Sequence, residues 1–585
     1  MRSILTKLNA QSNYIVFLCI SIFAIHELLF LTFYKINLFH AEDFFYVEFA
    51  YNTIISNEIS FPELFSSANE HIVAFMILLV LPYFYFSSFD FANLVYGHWI
   101  IMSLSLFFIY LILKKTNRKI FWVLIPISAF IYSPLITHGY YTIPTIQWQI
   151  TSLGCITIIY LMTANITWKK IFVASIIAIC ATFTLIPGII TWIIPIIFLV
   201  FKNNNSEHYK AKLFVWIGII LLVGIAYYLL APKIVNTFPN NLISQDGLEY
   251  FFGYIASPFR LKFYELLLSA GITTVFATGF FSLYYITKHK NSNVTPWFAF
   301  FIVGIVAASI SIFGRENLFF ESSYRPDYIV FAVLLQIGLL ILISLTIKEY
   351  TIKAVSNKKL KISFLILVIV LQMILLVPSY YAGYIRAEHY FDQKSWDVGC
   401  FSLTHDADCV NDHPNGLLSP YTSAYSKSKL DILNYWLDNK IGLFSNTEIN
   451  KKNLQDMTEF KNILKIQDVQ NNGIGQIEQI NNIEYLDDRI VIDEPYVIIS
   501  GWALTHDKKQ FTALYLLVND KPFLKYADFQ TREYVLNLYE MDNVLPGYEI
   551  SFLSGYLDKG CHELSIIGLK NQNLFKINDF QMCIK

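Results

Sequence analysis

Charge is what this sequence has least of. Only 15% of its 585 residues are Asp, Glu, Lys or Arg, against 55% apolar and 17% aromatic, a balance far from that of soluble chains. That scarcity excludes a water-soluble fold for most of the chain. Net charge is nearly absent too, at −1, so bulk charge gives no reason to expect a nucleic-acid partner. There is no GxxxxGK phosphate loop and no HExxH helix, so neither ATP-driven nor zincin chemistry is indicated. Internal repeats and low-complexity linkers are missing as well. No small-residue cleavage site follows the first apolar run, which therefore reads as a retained membrane helix rather than a signal peptide.

What is present is a series of long apolar runs that ends near residue 378. Each is about long enough to cross a ~30 Å hydrocarbon core as a helix. Hydropathy places spans near 13–34, 92–113, 120–136, 148–166, 171–186, 187–201, 213–231, 263–287, 296–313, 327–347 and 362–378, eleven in all. This arrangement collects Lys114, Lys115, Arg118, Lys119, Lys169, Lys170, Lys202, Lys288 and Lys348 on the side of the N-terminus, which the positive-inside rule makes cytoplasmic. Glu42, Asp43, Glu48, Glu70, Asp246, Glu316 and Glu321 then face outward. The run HIVAFMILLVLPYFYF, 71–86, reads as a helix lying in the outer interface, because counting it as a span would reverse the lysine bias; a true extra span is the alternative.

Beyond residue 379 the composition becomes that of a soluble domain, which an odd number of spans places outside. Residues 380–476 form a mixed region, and 477–585 carry short alternating strands with Asn519-Asp520 as a hairpin turn, the pattern of a small antiparallel β-sandwich. The expected fold class is thus a multi-spanning α-helical membrane protein of about 11 transmembrane helices (1–379, with a first outer loop at 35–91) bearing a C-terminal extracytoplasmic β-sandwich. Cys19, Cys155 and Cys180 fall in spans as small apolar residues. Cys400, Cys409, Cys561 and Cys583 lie in the tail and suit disulfides in an oxidising compartment, most simply Cys400 with Cys409 and Cys561 with Cys583, though three pairings exist.

Four polar clusters map to the outer side: the adjacent acids Glu42 and Asp43; Asn69, Glu70 and His71; the stretch HGYYTIPTIQWQ with Tyr140, Tyr141, Gln147, Trp148 and Gln149; and GRENLFFESSYRPD with Arg315 and Arg325. Each alone has a bland explanation as solvated acids, belt aromatics, interfacial anchors or helix caps. Ionisable groups at membrane depth point to function, and all four clusters share one face. Carboxylates, amides, aromatics and two arginines together suit an anionic lipid headgroup that carries a sugar. The Asp-x-Asp of HDADCVNDH, 405–413, has no nucleotide-binding domain around it and reads as a solvated disulfide loop.

An acidic pair in the first outer loop, an interfacial helix before the second span and arginines in a late outer loop resemble the type C glycosyltransferases, which use polyprenyl-phosphate sugars. More narrowly, NEH at 69–71, IQWQ at 146–149 and GR followed by SSYR at 322–325 look like motifs of the bacterial Gtr-type glucosyltransferases that decorate O-antigen. The tail, from ISGWAL through VLPGYEISFL to GCHELSIIGL, is similar to a β-domain at the C-terminus of some such proteins. Ile72 stands where relatives often carry Arg, and SSYR where they have something nearer SRY.

The resemblance implies an inverting transfer of a sugar, glucose by this likeness, from undecaprenyl phosphate to a lipid-linked or lipopolysaccharide O-antigen glycan on the periplasmic side of a bacterial inner membrane, a serotype-converting modification. The acceptor hydroxyl needs a base: Asp43 first, Glu42 as runner-up, since neighbouring residues point apart. Arg315 and Arg325 would hold the leaving lipid phosphate. Glu70 and His71 would bind sugar hydroxyls or orient the base, with Tyr140, Gln147, Trp148 and Gln149 as a stacking and hydrogen-bonding wall. A phosphate flanked by arginines requires no metal, and no cofactor is expected. The β-domain would either position the acceptor or cover the mouth of the site. Competing functions are an O-antigen polymerase or ligase, and a lipid-linked glycan flippase or transporter; the mostly apolar spans argue against the last.

Overall fold

In the computed structural model the chain forms two compact units, Met1–Lys35 with Glu42–Ala387, and Ile36–Ala41 with Glu388–Lys585. The structure describes residues 2–37, 43–55, 64–65, 67–68, 71–137, 142–163, 165–201, 208–230, 244–260, 263–289, 293–313, 326–353, 358–404, 426–444, 452, 469, 473–481, 483–485, 489–494, 496–526, 529–539, 541, 544–554, 557, 559–571 and 573–585.

The first unit is helical. It begins with α1 (Arg2–Tyr34) and α2 (Phe44–Ile54), then a two-residue hairpin of β1 (Ser67–Ala68) and β2 (His71–Ile72) leads into α3 (Ala74–Ser87). There follow α4 (Leu94–Thr116), α5 (Leu124–Ile131), α6 (Pro134–Thr137), α7 (Ile143–Thr163), α8 (Trp168–Thr182) and α9 (Ile190–Phe201). The unit continues through α10 (Tyr209–Leu230), α11 (Gln245–Ala256), α12 (Tyr264–His289), α13 (Thr295–Phe313) and α14 (Pro326–Lys353) into the long α15 (Lys358–Thr404), of which the residues up to Ala387 belong to it.

Among the described residues, seven helices are long and apolar enough to cross a membrane, in α1, α4, α7, α10, α12, α13 and α14, so the chain is a multi-pass membrane protein. That replaces the expected eleven. The predicted span at 120–136 is interrupted: α5 ends at Ile131, Tyr132 and Ser133 leave the helix, and α6 starts at Pro134. Proline disfavours helical backbone in the residue before it, which accounts for the break. The predicted spans 171–186 and 187–201 are the 15-residue α8 and the 12-residue α9, joined through a 3-10 turn at Ile186–Ile189. At about 1.5 Å per residue both fall short of a ~30 Å core. The same holds for the 14-residue α3. The stretch 362–378 lies inside α15, where most of its side chains are outside the described residues.

Helix contacts depend on small residues. Gly304 of α13 meets Leu335 of α14 so closely that a Cβ would lie 2.6 Å from the leucine Cβ, and Gly338 of α14 packs on the Trp297 carbonyl. Without a hydrophobic drive between helices in lipid, such close approach supplies the van der Waals contact that joins them.

The second unit contains α16 (Ser426–Asn439) and a β-rich region of β3 (Gly473–Ile480), β4 (Ile483–Glu484), β5 (Arg489–Ile492), β6 (Tyr496–Thr505), β7 (Ala513–Val518), β8 (Lys521–Tyr526), α17 (Glu533–Tyr539), β9 (Gly547–Leu553), β10 (Gly560–Lys570) and β11 (Asn573–Ile584). The strands form a five-stranded sheet, β5-β11-β10-β7-β8, and a four-stranded sheet, β4-β3-β6-β9. Ile477, Val497 and Tyr548 from one and Leu514, Ile566 and Met582 from the other share a single core, so the two sheets face each other. Asn519 and Asp520 both take positive φ, 50° and 62°, between β7 and β8. Left-handed backbone at both central residues matches a hairpin turn to the strand twist, which Asn and Asp tolerate.

Cys561 and Cys583 are directly opposed on β10 and β11 and joined by a disulfide. Cys400 and Cys409 fall outside the described residues, the former by its side chain. Replacing Cys561 and Cys583 by Ser, a 22-residue separation, is expected to lower the stability of this unit by roughly 3 kcal/mol, from the entropy the unfolded chain regains. Pulse proteolysis of the full-length protein checks this; an unchanged cleavage midpoint counts against it.

Candidate functional site

Asp43 immediately precedes α2 and is 1% exposed. Its Oδ1 accepts the backbone N–H of Ile143, 2.7 Å away, at the first residue of α7. The carboxylate therefore sits on the N-terminus of a membrane helix, where unsatisfied N–H groups and the helix dipole both favour negative charge. One turn along α2, Tyr46 points the same way, and its hydroxyl accepts the Gln147 Nε2 at 2.6 Å. The same amide donates to the Thr184 carbonyl at 3.0 Å, in the segment between α8 and α9. Asp43 and Tyr46 thus fasten α2 to the first two turns of α7, and Gln147 fastens both to the α8–α9 turn. A fixed carboxylate, a phenol and an amide in one buried cluster can orient a hydroxyl group and take its proton.

The three residues of the Gln-Trp-Gln stretch do not form one wall. Two residues are about 200° apart around a helix, so Gln147 and Gln149 leave α7 in nearly opposite directions. The Gln149 Oε1 meets the Nδ1 of buried His98 on α4 at 2.9 Å, while Trp148 packs edge-on against Phe331 of α14. Only Gln147 shares the environment of Asp43.

His71 lies in β2, paired with Ala68, and the following amide of Ile72 donates to the Tyr227 hydroxyl on α10. Burial pushes the His71 imidazole down to about 4, so it is neutral at neutral pH. The unfolded chain, at about 6.5, takes up the proton first as pH falls. Stability is therefore complete above about pH 6.5 and is lost as pH drops towards 4, on the order of 3 kcal/mol in all. Melting curves in detergent from pH 7 to pH 4 should show this slope, and His71→Gln should flatten it.

Glu42, Glu70, Tyr140, Arg315 and Arg325 lie outside the described residues. Among the described residues, no group of three or more His, Cys, Asp or Glu side chains converges as a metal site. Sequence reasoning overlooked Tyr46, His98, Thr184 and Glu27. Tyr46 carried a signal, being three residues after Asp43 on one helical face. Glu27 is 0% exposed within the α1 span, and a lone acid in such an apolar run was itself a marker. Compared with models of protein families, with curated proteins and with solved structures, the chain matches none of them.

Proposed function

We propose that this protein is an inverting glycosyltransferase that moves a sugar from a polyprenyl phosphate to a glycan hydroxyl at the outer face of a bacterial inner membrane, with its N-terminus cytoplasmic. The observation that carries the reading is the Asp43 carboxylate, buried yet held at the end of a membrane helix, with the Tyr46–Gln147 hydrogen bond joining the same two helices one turn further along. In this reading Asp43 accepts the acceptor proton as the new C–O bond forms, with Glu42 beside it. Arg315 and Arg325 stabilise the departing lipid phosphate, whose charge grows as the anomeric centre becomes cation-like. Glu70, His71 and Tyr140 contact sugar hydroxyls, and the β-rich unit positions the glycan. The donor is undecaprenyl-phosphate glucose and the acceptor an O-antigen glycan on a lipid or lipopolysaccharide.

A second reading, movement of a lipid-linked glycan across the membrane, is favoured by polar residues buried inside three spans: Glu27 in α1, His98 in α4 and Gln336 in α14. Purified protein in nanodiscs with undecaprenyl-phosphate glucose and a lipopolysaccharide acceptor separates the two. Donor consumption with glucosylated acceptor supports transfer. An intact donor in that assay, with redistribution of labelled lipid between leaflets in proteoliposomes, supports movement instead.

A further inference from the structure

A small cavity lies inside the first unit where α4, α7 and α14 pass the break between α5 and α6. Ile131 and Ile136, on either side of the break, help to line it, together with Met102, Ser105, Gln149 and Ser152. The interruption of the helix and the cavity thus coincide. Its volume is about 30 Å3, and roughly 10–15 Å3 suffices to hold one water molecule.

Gln149 is 98% buried and His98 fully so, and they satisfy each other on one side only. The amide oxygen can only accept, so the Nδ1 of His98 carries the hydrogen in that contact, a tautomer assigned from the hydrogen-bond network. This leaves the two Gln149 N–H groups without an acceptor and the His98 Nε2 without a donor. Turning the amide over exchanges these roles but again leaves one acceptor and one donor. Leaving a buried polar group in this state is costly, and a water that satisfies it offsets that cost with only a modest loss of its own freedom.

We infer that this cavity is a hydration site inside the membrane domain, in which one or two ordered water molecules accept from the Gln149 amide and hold the Gln149–His98 pair in register. Gln149 lines the cavity, and water there supplies the acceptor that its amide lacks, which no apolar occupant can do. The inference is independent of either functional reading above.

X-ray radiolytic labelling of the full-length protein in nanodiscs tests it, because ordered water generates oxidant at the spot where it is held. Met102 is 4% exposed and lines the cavity, whereas Met162, at the other end of α7, is 0% exposed and does not line it. Met102 is expected to be oxidised several-fold faster than Met162. Ser152→Val, which fills the space, should bring Met102 down to the Met162 rate, and Ser105→Ala, which leaves Gln149 and the space intact, should not. Equal rates at Met102 and Met162 in the wild type, or rapid Met102 oxidation that persists in a folded Ser152→Val protein, would overturn the inference. If Ser152→Val does not fold, the Met102-to-Met162 ratio in the wild type and in Ser105→Ala decides it.

Discussion

Asp43→Asn is expected to leave the protein folded and to lower the transfer rate by about 10²- to 10⁴-fold, the usual contribution of a positioned base. Asparagine retains a side-chain oxygen that can accept the Ile143 N–H, so α7 keeps its cap and Gln147 keeps its place beside Tyr46. What is removed is the negative charge and the ability to hold a proton. Asp43→Ala removes the cap as well and should cost about 0.5–2 kcal/mol of stability on top of the lost rate. The pair of variants therefore separates chemistry from structure. If Asp43 were only a helix cap, Asn would behave as wild type in both activity and melting. Transfer by Asp43→Asn at the wild-type rate would remove Asp43 from the mechanism and turn attention to Glu42.

Much of this molecule follows from chemistry that can be read along the chain. The unbroken apolar runs at 13–34, 92–113, 213–231, 263–287, 296–313 and 327–347 contain helices long enough to span, because nothing in them interrupts the backbone. Hydropathy went wrong where it averages over geometry. In 120–136 a window sees only apolar side chains, while the Pro134 ring acts on the backbone of Ser133. In 171–201 it sees enough grease for two spans, yet Pro187 and Gly188 place a tight turn there, and the chain forms two helices each too short to span. Alternation gave most of the strands around β6 to β11 well, since one face is buried against the opposite sheet, although β7 is buried along its whole length. The site was half legible. Asp43 stood out as an acid at a membrane edge, but its partner is a backbone N–H one hundred residues away, which no side-chain motif records. The opposite directions of Gln147 and Gln149 were available from helical periodicity alone; their partners, Thr184 and His98, were not.

The tight turn below Gln147 makes Gly188→Ala the substitution with the largest expected structural effect. A Cβ on Gly188 would stand 2.0 Å from the Ala181 carbonyl oxygen and 2.3 Å from its carbon, backbone atoms that no side-chain rotation can move. That oxygen already receives the N–H groups of Thr184 and Leu185, which close the end of α8. Relief requires the turn to shift away from α8, and overpacking of this kind costs about 1–3 kcal/mol or more. The shift has a functional consequence, because the Thr184 carbonyl that anchors Gln147 is carried by the same segment. Loosening it frees Gln147 from one of its two partners and with it the brace between α7 and Tyr46. Gly188→Ala should therefore lower the melting temperature and reduce transfer, whereas Gly97→Ala, where a Cβ meets nothing within 4 Å, should be neutral or gain up to about 1 kcal/mol from better helix propensity. Equal melting temperatures for the two variants would show that the α8–α9 turn does not press on α8 as described. A Gly188→Ala protein that melts early but transfers sugar normally would separate this turn from the Asp43 site.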